Sequence, residues 1–102
     1  MITDHSGLDT WSRNMKEQMI QAKIIKWLEA KNYYVVKTMV TSKAGVPDIL
    51  ACSPKGRFIG IEVKCPGGVL SKLQEVNLRK IQDRQGISFI AYSLEEVIRQ
   101  LE

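Results

Sequence analysis

The chain contains few of the residues that usually carry side-chain catalysis or structural metal sites. Two cysteines and one histidine occur among its 102 residues, which is fewer ligands than a structural zinc site uses. The single histidine, His5, lies in a polar amino-terminal segment. We therefore exclude a zinc site of the usual kind, together with most Ser-His, Cys-His and histidine-metal chemistries.

Long apolar runs are also missing. No window approaches the ~20 apolar residues of a membrane-spanning helix, and the chain does not open with the charged and then apolar segments of a secretory leader. We therefore expect a cytoplasmic protein with no membrane partner. The length predicts a single domain over residues 1–102, in which residues 1–9 form a flexible tail. The net charge of +4 fits a polyanionic partner.

Three charged residues interrupt the apolar segments on either side of a tight turn. The turn sequence Ser-Pro-Lys-Gly, at residues 53–56, has proline and glycine where a β-turn favours them. Asp48 precedes this turn, and Glu62 and Lys64 follow it. Charges within apolar strands are costly unless they are paired or bind a metal. These residues therefore predict a functional site.

The register of this hairpin determines whether the two carboxylates meet. With the turn centred on Pro54 and Lys55, the favoured antiparallel register places Asp48 opposite Glu62, with Cβ atoms roughly 5 Å apart. Lys64 then shares their face, whereas a slip of one residue would separate them. Two close carboxylates repel, and one keeps its proton unless a cation lies between them. The pattern therefore predicts a Mg²⁺-type site with a lysine beside it, which suits phosphoester hydrolysis.

The first predicted helix covers residues 11–31, with Asp9 or Thr10 as its cap, and it has an acidic residue on its apolar face. Apolar residues recur at helical spacing from Ile20 to Leu28 and define the buried side. Glu17 falls in the middle of this stripe. Either it extends to solvent or to a lysine at the helix end, or it points towards the predicted carboxylate pair as a third acid.

The remaining elements indicate an α/β fold. Strand, turn and capping patterns follow in the order α-β-β-β-α-β-α. The connection from the third strand through a helix to the fourth is a right-handed crossover, which makes those two strands parallel. We therefore expect a four-stranded mixed sheet flanked by helices. Outside the hairpin, strands are predicted at 33–41 and 87–92. A helix is predicted from the Ser71–Gln74 capping box to about Gln85, and its apolar side consists of Leu73, Val76, Leu78 and Ile81. A carboxy-terminal helix is opened by a second capping box at Ser93–Glu96.

Short motifs with a known counterpart occur on four of these elements. Gly45–Asp48 leads into the second strand, Glu62–Lys64 forms E-x-K on the third, Glu17 lies on the first helix, and residues 70–74 open the second helix. Taken in this order, over nearly the whole chain, they resemble the VRR-NUC (virus-type replication-repair nuclease) family of the PD-(D/E)XK nuclease superfamily. Cys65 departs from the pattern, because a threonine or similar residue is common there.

The resemblance implies a restriction-endonuclease-like fold and a nuclease that hydrolyses phosphodiester bonds in DNA. The implied cofactor is Mg²⁺ or Mn²⁺, and no organic cofactor is implied. Lys64 would orient or activate the attacking water, and Gln74 would position that lysine or the scissile phosphate. The implied metal ligands are Asp48, Glu62, the backbone carbonyl of Val63, and Glu17 either directly or through water.

Small single-domain members of this family resemble phage proteins that act as homodimers on branched DNA such as Holliday junctions. A homodimer also agrees with apolar residues that have no evident intrachain partner, such as Trp11, Met39 and Val40. Two other functions stay open, namely a nuclease-like fold that binds DNA or protein without cutting, and a restriction-like endonuclease. Gln74 likewise stays open between a helix cap and a catalytic role.

Overall fold

The computed structural model describes residues 6–102, with side chains from residue 10 onward. Its elements follow the predicted α-β-β-β-α-β-α order, so the α/β fold is confirmed. No helix within this range combines the length and apolar character needed to cross a membrane. The elements are α1 (Ser6–Ala30), β1 (Tyr34–Lys37), β2 (Ile49–Cys52), β3 (Phe58–Val63), α2 (Lys72–Asp83), β4 (Ile87–Ala91) and α3 (Leu94–Leu101).

The four strands form one mixed sheet in the order β1-β2-β3-β4. The first two pairings are antiparallel, and β3 pairs with β4 in parallel. The parallel pairing follows from the connection through α2, because a tight turn cannot join parallel neighbours. The predicted mixed sheet is therefore confirmed.

The hairpin between β2 and β3 has the favoured register. Ile49 pairs with Ile61, and Leu50 pairs with Gly60, so Asp48 continues the row that contains Glu62. The turn is closed by a hydrogen bond from the Gly56 N–H to the Ser53 carbonyl at 2.8 Å. Gly56 has a φ of +86°, a conformation that glycine adopts without steric cost.

The main core lies between the sheet and the helices α1 and α3. Alternate residues of β2 and β3 point to this face, where they meet the apolar stripe of α1. Because α1 and α3 cover the middle of this face, its central side chains are almost completely buried. The fully buried side chains are Ile24, Leu28, Ile49, Ile59, Ile61, Val63 and Val97.

The opposite face of the sheet carries α2, which packs against β3 and β4. Gly60 allows this close approach, because a Cβ atom there would lie 2.6 Å from Cδ1 of Ile81. Residues on the β1 and β2 half of this face are more exposed, and Tyr34 has 74% of its surface accessible. This face also carries Asp48 and Glu62, so α2 forms one wall beside them.

Several element boundaries and faces differ from the prediction. The helix α1 begins at Ser6, so the predicted cap positions 9 and 10 lie inside it; the predicted tail at residues 1–5 lies outside the described residues. The strand β1 ends at Lys37 instead of residue 41. If the β1–β2 register continued, Met39 would pair with Pro47. Proline has no N–H to donate to the ladder, so the pairing ends before these residues.

The apolar side of α2 is narrower than predicted. Leu78 is buried, but 53% of Leu73 and 37% of Val76 are exposed, because α2 covers only part of the sheet.

The second capping box, at the start of α3, is also incomplete. Ser93 accepts the Glu96 N–H as expected, but the Glu96 side chain accepts the N–H of Tyr92 instead of that of Ser93.

Candidate active site

Asp48 and Glu62 form the centre of the candidate site. Asp48 lies directly before β2, and its Oδ2 accepts the backbone N–H of Val63 at 2.9 Å. This bond holds the Asp48 carboxylate across the end of the β2–β3 ladder. Glu62 lies in β3, where 2% of its surface is exposed. The structure therefore brings the two predicted carboxylates together on one face.

Glu62 is the most strongly perturbed acid of the described residues. Its pKa is raised from 4.5 to about 8, first by burial, then by the charge of Asp48 and a hydrogen bond with it, and also by Glu17; Lys64 acts in the opposite direction. No donor reaches its buried Oε1, and the hydrogen bond with Asp48 forms only when one of the two carboxyl groups carries a proton. A buried carboxylate needs a proton or a cation, and an orphaned oxygen beside a second carboxylate is suited to a cation.

Lys64 shares the face of Glu62, as the alternation of β3 predicts. Its Nζ is 3.9 Å from Glu62 Oε2, and 17% of the side chain is exposed. At this distance the contact is an ion pair and not a short hydrogen bond. The ammonium therefore keeps its donors for another group at the mouth of the site.

Gln74 contacts both the helix terminus and the carboxylate pair. Its Oε1 accepts the N–H of Ser71 at 2.8 Å, which completes the predicted capping box with the bond from the Gln74 N–H to Ser71 Oγ. Its Nε2 donates to Glu62 Oε2 at 3.1 Å. One side chain thus caps α2 and binds the site, so the two interpretations of Gln74 are compatible.

Glu17 reaches the edge of this cluster from α1. Its Oε2 accepts the backbone N–H of Cys65 at 3.1 Å, and its charge is close enough to raise the pKa of Glu62. This geometry agrees with the interpretation that Glu17 points towards the carboxylate pair. Sequence reasoning missed Gln21, which is one turn further along the same stripe; it is buried, and its Oε1 has no partner.

A divalent cation fits the donor set of this site. Within residues 6–102, no three Cys, His, Asp or Glu side chains converge as a complete metal cage. Mg²⁺ does not need one, because it is commonly held by one or two carboxylates and completes its shell with water and phosphate oxygens. Asp48 and Glu62 supply such a pair, and the carbonyl of Val63 is adjacent in β3.

Comparison with known proteins identifies the family. The sequence profile of the VRR-NUC domain matches residues 11–95. A solved structure described as a VRR_NUC domain has a TM-score of 0.72 and 25% sequence identity over 82% of this chain and 91% of that chain. A second, described as a VRR_NUC domain protein, is similar in fold, with a TM-score of 0.67 and 18% identity over 81% of this chain and 82% of that chain.

A comparison with curated proteins finds no match. The family profile nevertheless covers most of the chain, and the fold agrees with the solved structures. Of the residues that carry the sequence resemblance, Asp48, Glu62 and Lys64 lie on one face of the sheet. Gln74 contacts Glu62 from α2, and Glu17 reaches the edge of the cluster from α1. The chain therefore belongs to the VRR-NUC domain family, a family of nuclease-type domains.

Proposed function

We propose that this domain is an endonuclease that hydrolyses phosphodiester bonds in DNA with Mg²⁺ or Mn²⁺, and that its substrate is branched DNA such as a Holliday junction. The observation that supports this best is the buried Glu62 carboxylate, whose Oε1 has no partner although Asp48 lies beside it. Such an arrangement is unfavourable in a purely structural role, because burial and the charge of Asp48 make the ionised form of Glu62 costly unless a cation replaces its proton.

Each residue of the site has its own role in the proposed reaction. Asp48 and Glu62 would hold the cation, and the Val63 carbonyl and Glu17, directly or through water, would be further ligands. When bound, the cation polarises the phosphate and lowers the pKa of a water molecule. Lys64 orients the attacking water and stabilises negative charge on the phosphate oxygens.

Gln74 has a positioning role in this proposal. By donating to Glu62 Oε2, it leaves Oε1 as the free oxygen of the carboxylate and holds the side chain in one orientation. The other end of the same amide is fixed by the N–H of Ser71. The first turn of α2 therefore sets the orientation of the Glu62 carboxylate, the proposed metal ligand.

A homodimer is part of the same proposal. Trp11, Met15 and Met19 recur every four residues of α1 and are all exposed, with 64% of the Trp11 surface accessible. At about 100° per residue, this stripe lies roughly half a turn around α1 from the core-facing Ile24. An apolar stripe on the outer side of a helix fits a second copy of this chain, and a two-fold dimer presents two sites to two strands.

Cleavage assays on defined DNA test the nuclease function. Four-way junction, flap, duplex and single-stranded DNA are incubated with Mg²⁺, Mn²⁺ or EDTA. We expect cleavage that needs the metal, prefers the branched substrates and falls by about 10²–10³-fold or more in Glu62→Gln and Lys64→Ala. Glu29→Gln and Lys55→Ala, at exposed positions of α1 and of the turn before β3, are the matched controls. Cleavage in EDTA, or in both site variants, would contradict the assignment.

A further inference from the structure

A cleft between β2 and α2 lies on the same sheet face as the carboxylate pair. Its volume is about 580 Å³, and it is called the α2 cleft below. Its floor is formed by apolar side chains from the loop before β2, from β2, from the start of β3 and from α2. These residues are Val46, Pro47, Leu50, Phe58 and Ile81.

The α2 cleft is a short distance from the proposed reaction centre. Leu50 is two residues beyond Asp48 in the chain, and Phe58 is four residues before Glu62. At about 3.3 Å per strand residue, these positions lie roughly 7 and 13 Å from the carboxylate row. A stacked nucleic-acid strand advances about 3.4 Å per nucleotide. The α2 cleft is therefore within reach of the nucleotides that flank a phosphate bound at the site.

The rim of the α2 cleft is positively charged. Lys43, Lys80 and Arg84 line it and are exposed. Among residues 6–102 none of the three forms a salt bridge, and no acidic residue is part of the lining. One guanidinium nitrogen of Arg84 donates to the Lys80 carbonyl at 3.0 Å, which holds the side chain at the rim. Such a cleft is complementary to a polyanion with apolar groups, since the rim cations can pair with its negative charges while the apolar floor contacts its apolar groups.

The walls of the α2 cleft are held in place by direct contacts. The Asn77 side-chain nitrogen donates to the Ala44 carbonyl at 3.1 Å and to the Leu73 carbonyl at 2.9 Å. Gly45 has a φ of +79°, and a Cβ atom there would lie 2.8 Å from the Leu73 backbone. The loop before β2 is therefore fastened to α2, so the opening exists before any ligand arrives.

We propose that the α2 cleft binds an unpaired nucleobase of the substrate strand, with the flanking phosphates on Lys43, Lys80 and Arg84. Phe58, of which 49% is exposed, offers a ring face on which the base stacks, and aromatic stacking tolerates any base. A paired base within a duplex does not present its faces to such a floor. This inference rests on the proposed nuclease function and narrows its substrate, because among branched DNAs it selects those with unpaired nucleotides beside the cut, such as flaps, over fully paired four-way junctions.

Binding measured without cleavage tests this inference separately from catalysis. A fluorescent oligothymidine and a blunt duplex of the same length are titrated with the protein in EDTA, and anisotropy is recorded over a range of salt concentrations. We expect the wild-type protein to prefer the oligothymidine. Phe58→Leu, which keeps the floor apolar, is expected to weaken oligothymidine binding about tenfold. Phe58→Tyr is expected to restore it, since the ring is kept.

Paired charge variants extend the same test. Removing two phosphate contacts in Lys80→Ala with Arg84→Ala is expected to lower the salt slope for the oligothymidine by about 1.4. Lys55→Ala with Arg99→Ala, at exposed positions away from the α2 cleft and from the outer stripe of α1, is the matched control. Unchanged oligothymidine binding in Phe58→Leu overturns the inference. If sedimentation shows that Phe58→Leu instead changes the oligomeric state, the α2 cleft is a contact between copies and the inference is also overturned. If the wild-type protein cleaves no DNA but still prefers the oligothymidine, the nuclease proposal is contradicted, whereas base binding in the α2 cleft is supported.

Discussion

The side-chain amide of Gln74 joins the first turn of α2 to the buried carboxylate of Glu62. Its nitrogen donates to Glu62 Oε2 at 3.1 Å, while its oxygen accepts the Ser71 N–H at 2.8 Å. In a capping box the side chain at this position accepts the N–H of the cap residue. Here the cap also satisfies one oxygen of a carboxylate whose other oxygen is buried without a partner.

The two contacts of Gln74 can be separated by one substitution. Gln74→Glu keeps an acceptor for the Ser71 N–H, so the capping box is retained, but it replaces the donor to Glu62 with a carboxyl group. We expect the melting temperature at pH 5 to change little and the cleavage rate to fall about 10–100-fold, since a hydrogen bond to a charged group contributes about 1.5–3 kcal/mol.

Gln74→Ala is the reference for this prediction. It loses both contacts and is expected to lose about 1 kcal/mol of stability in addition to activity. Thermal unfolding and cleavage are measured on both variants. Equal activity of Gln74→Glu and wild type would show that the amide acts only as a helix cap.

The raised pKa of Glu62 predicts how stability depends on pH. The folded value is about 8, and the reference value is 4.5, so the folded protein binds the proton more tightly than the unfolded chain does. The stability associated with the neutral carboxyl is fully present below pH 4.5 and is lost as the pH rises through 8. At 1.36 kcal/mol per pKa unit, the loss is at most about 5 kcal/mol.

Urea unfolding in EDTA between pH 5 and 9 measures this effect. The free energy of unfolding is expected to fall across that range in the wild type, and Glu62→Gln is expected to remove most of the slope. Glu29→Gln, at an exposed position of α1, should keep it. A wild-type stability that does not change between pH 5 and 8 would contradict the burial of an acid with this pKa.

In the proposed metal site, the same proton would couple pH to metal binding. With Glu62 as a ligand, the cation would have to displace its proton below pH 8, because only the charged carboxylate is a good ligand. We expect Mn²⁺ affinity to rise about tenfold per pH unit between pH 6 and 7.5 where one full proton is released. Calorimetry in two buffers of different ionisation enthalpy counts the protons. Binding without proton release would show that Glu62 is not a ligand, and Glu62→Gln should lose both the binding and the release.

Much of the site could be predicted because its geometry follows from local rules. The Ser53–Gly56 turn sets the hairpin register, and the register sets which side chains of β2 and β3 share a face. Asp48, Glu62 and Lys64 were therefore predicted to lie on one face from their spacing. The parallel pairing of β4 follows from the helical crossover that connects it to β3.

The rest depends on contacts between elements that are distant in the sequence. The apolar side of α2 was predicted too wide, because its exposure depends on how much of the sheet the helix covers. The contact from Glu17 to the Cys65 N–H and the burial of Gln21 depend on how α1 crosses the end of β3. A pattern of residue types places a side chain on a helix face, but it does not say which backbone group that face meets.

The outer stripe of α1 makes the oligomeric state testable. If a second copy covers Trp11, Met15 and Met19, a charged side chain introduced among them would be desolvated in the dimer. Because no partner compensates for the lost hydration, the charge destabilises the dimer. Met19→Glu is therefore expected to make the protein a monomer at micromolar concentration in sedimentation velocity, where the wild type is expected to sediment as a dimer. Gln100→Glu adds the same charge at an exposed position of α3 and should leave the dimer intact. A wild type that sediments as a monomer, or a Met19→Glu variant that remains a dimer, would show that this stripe does not join two copies.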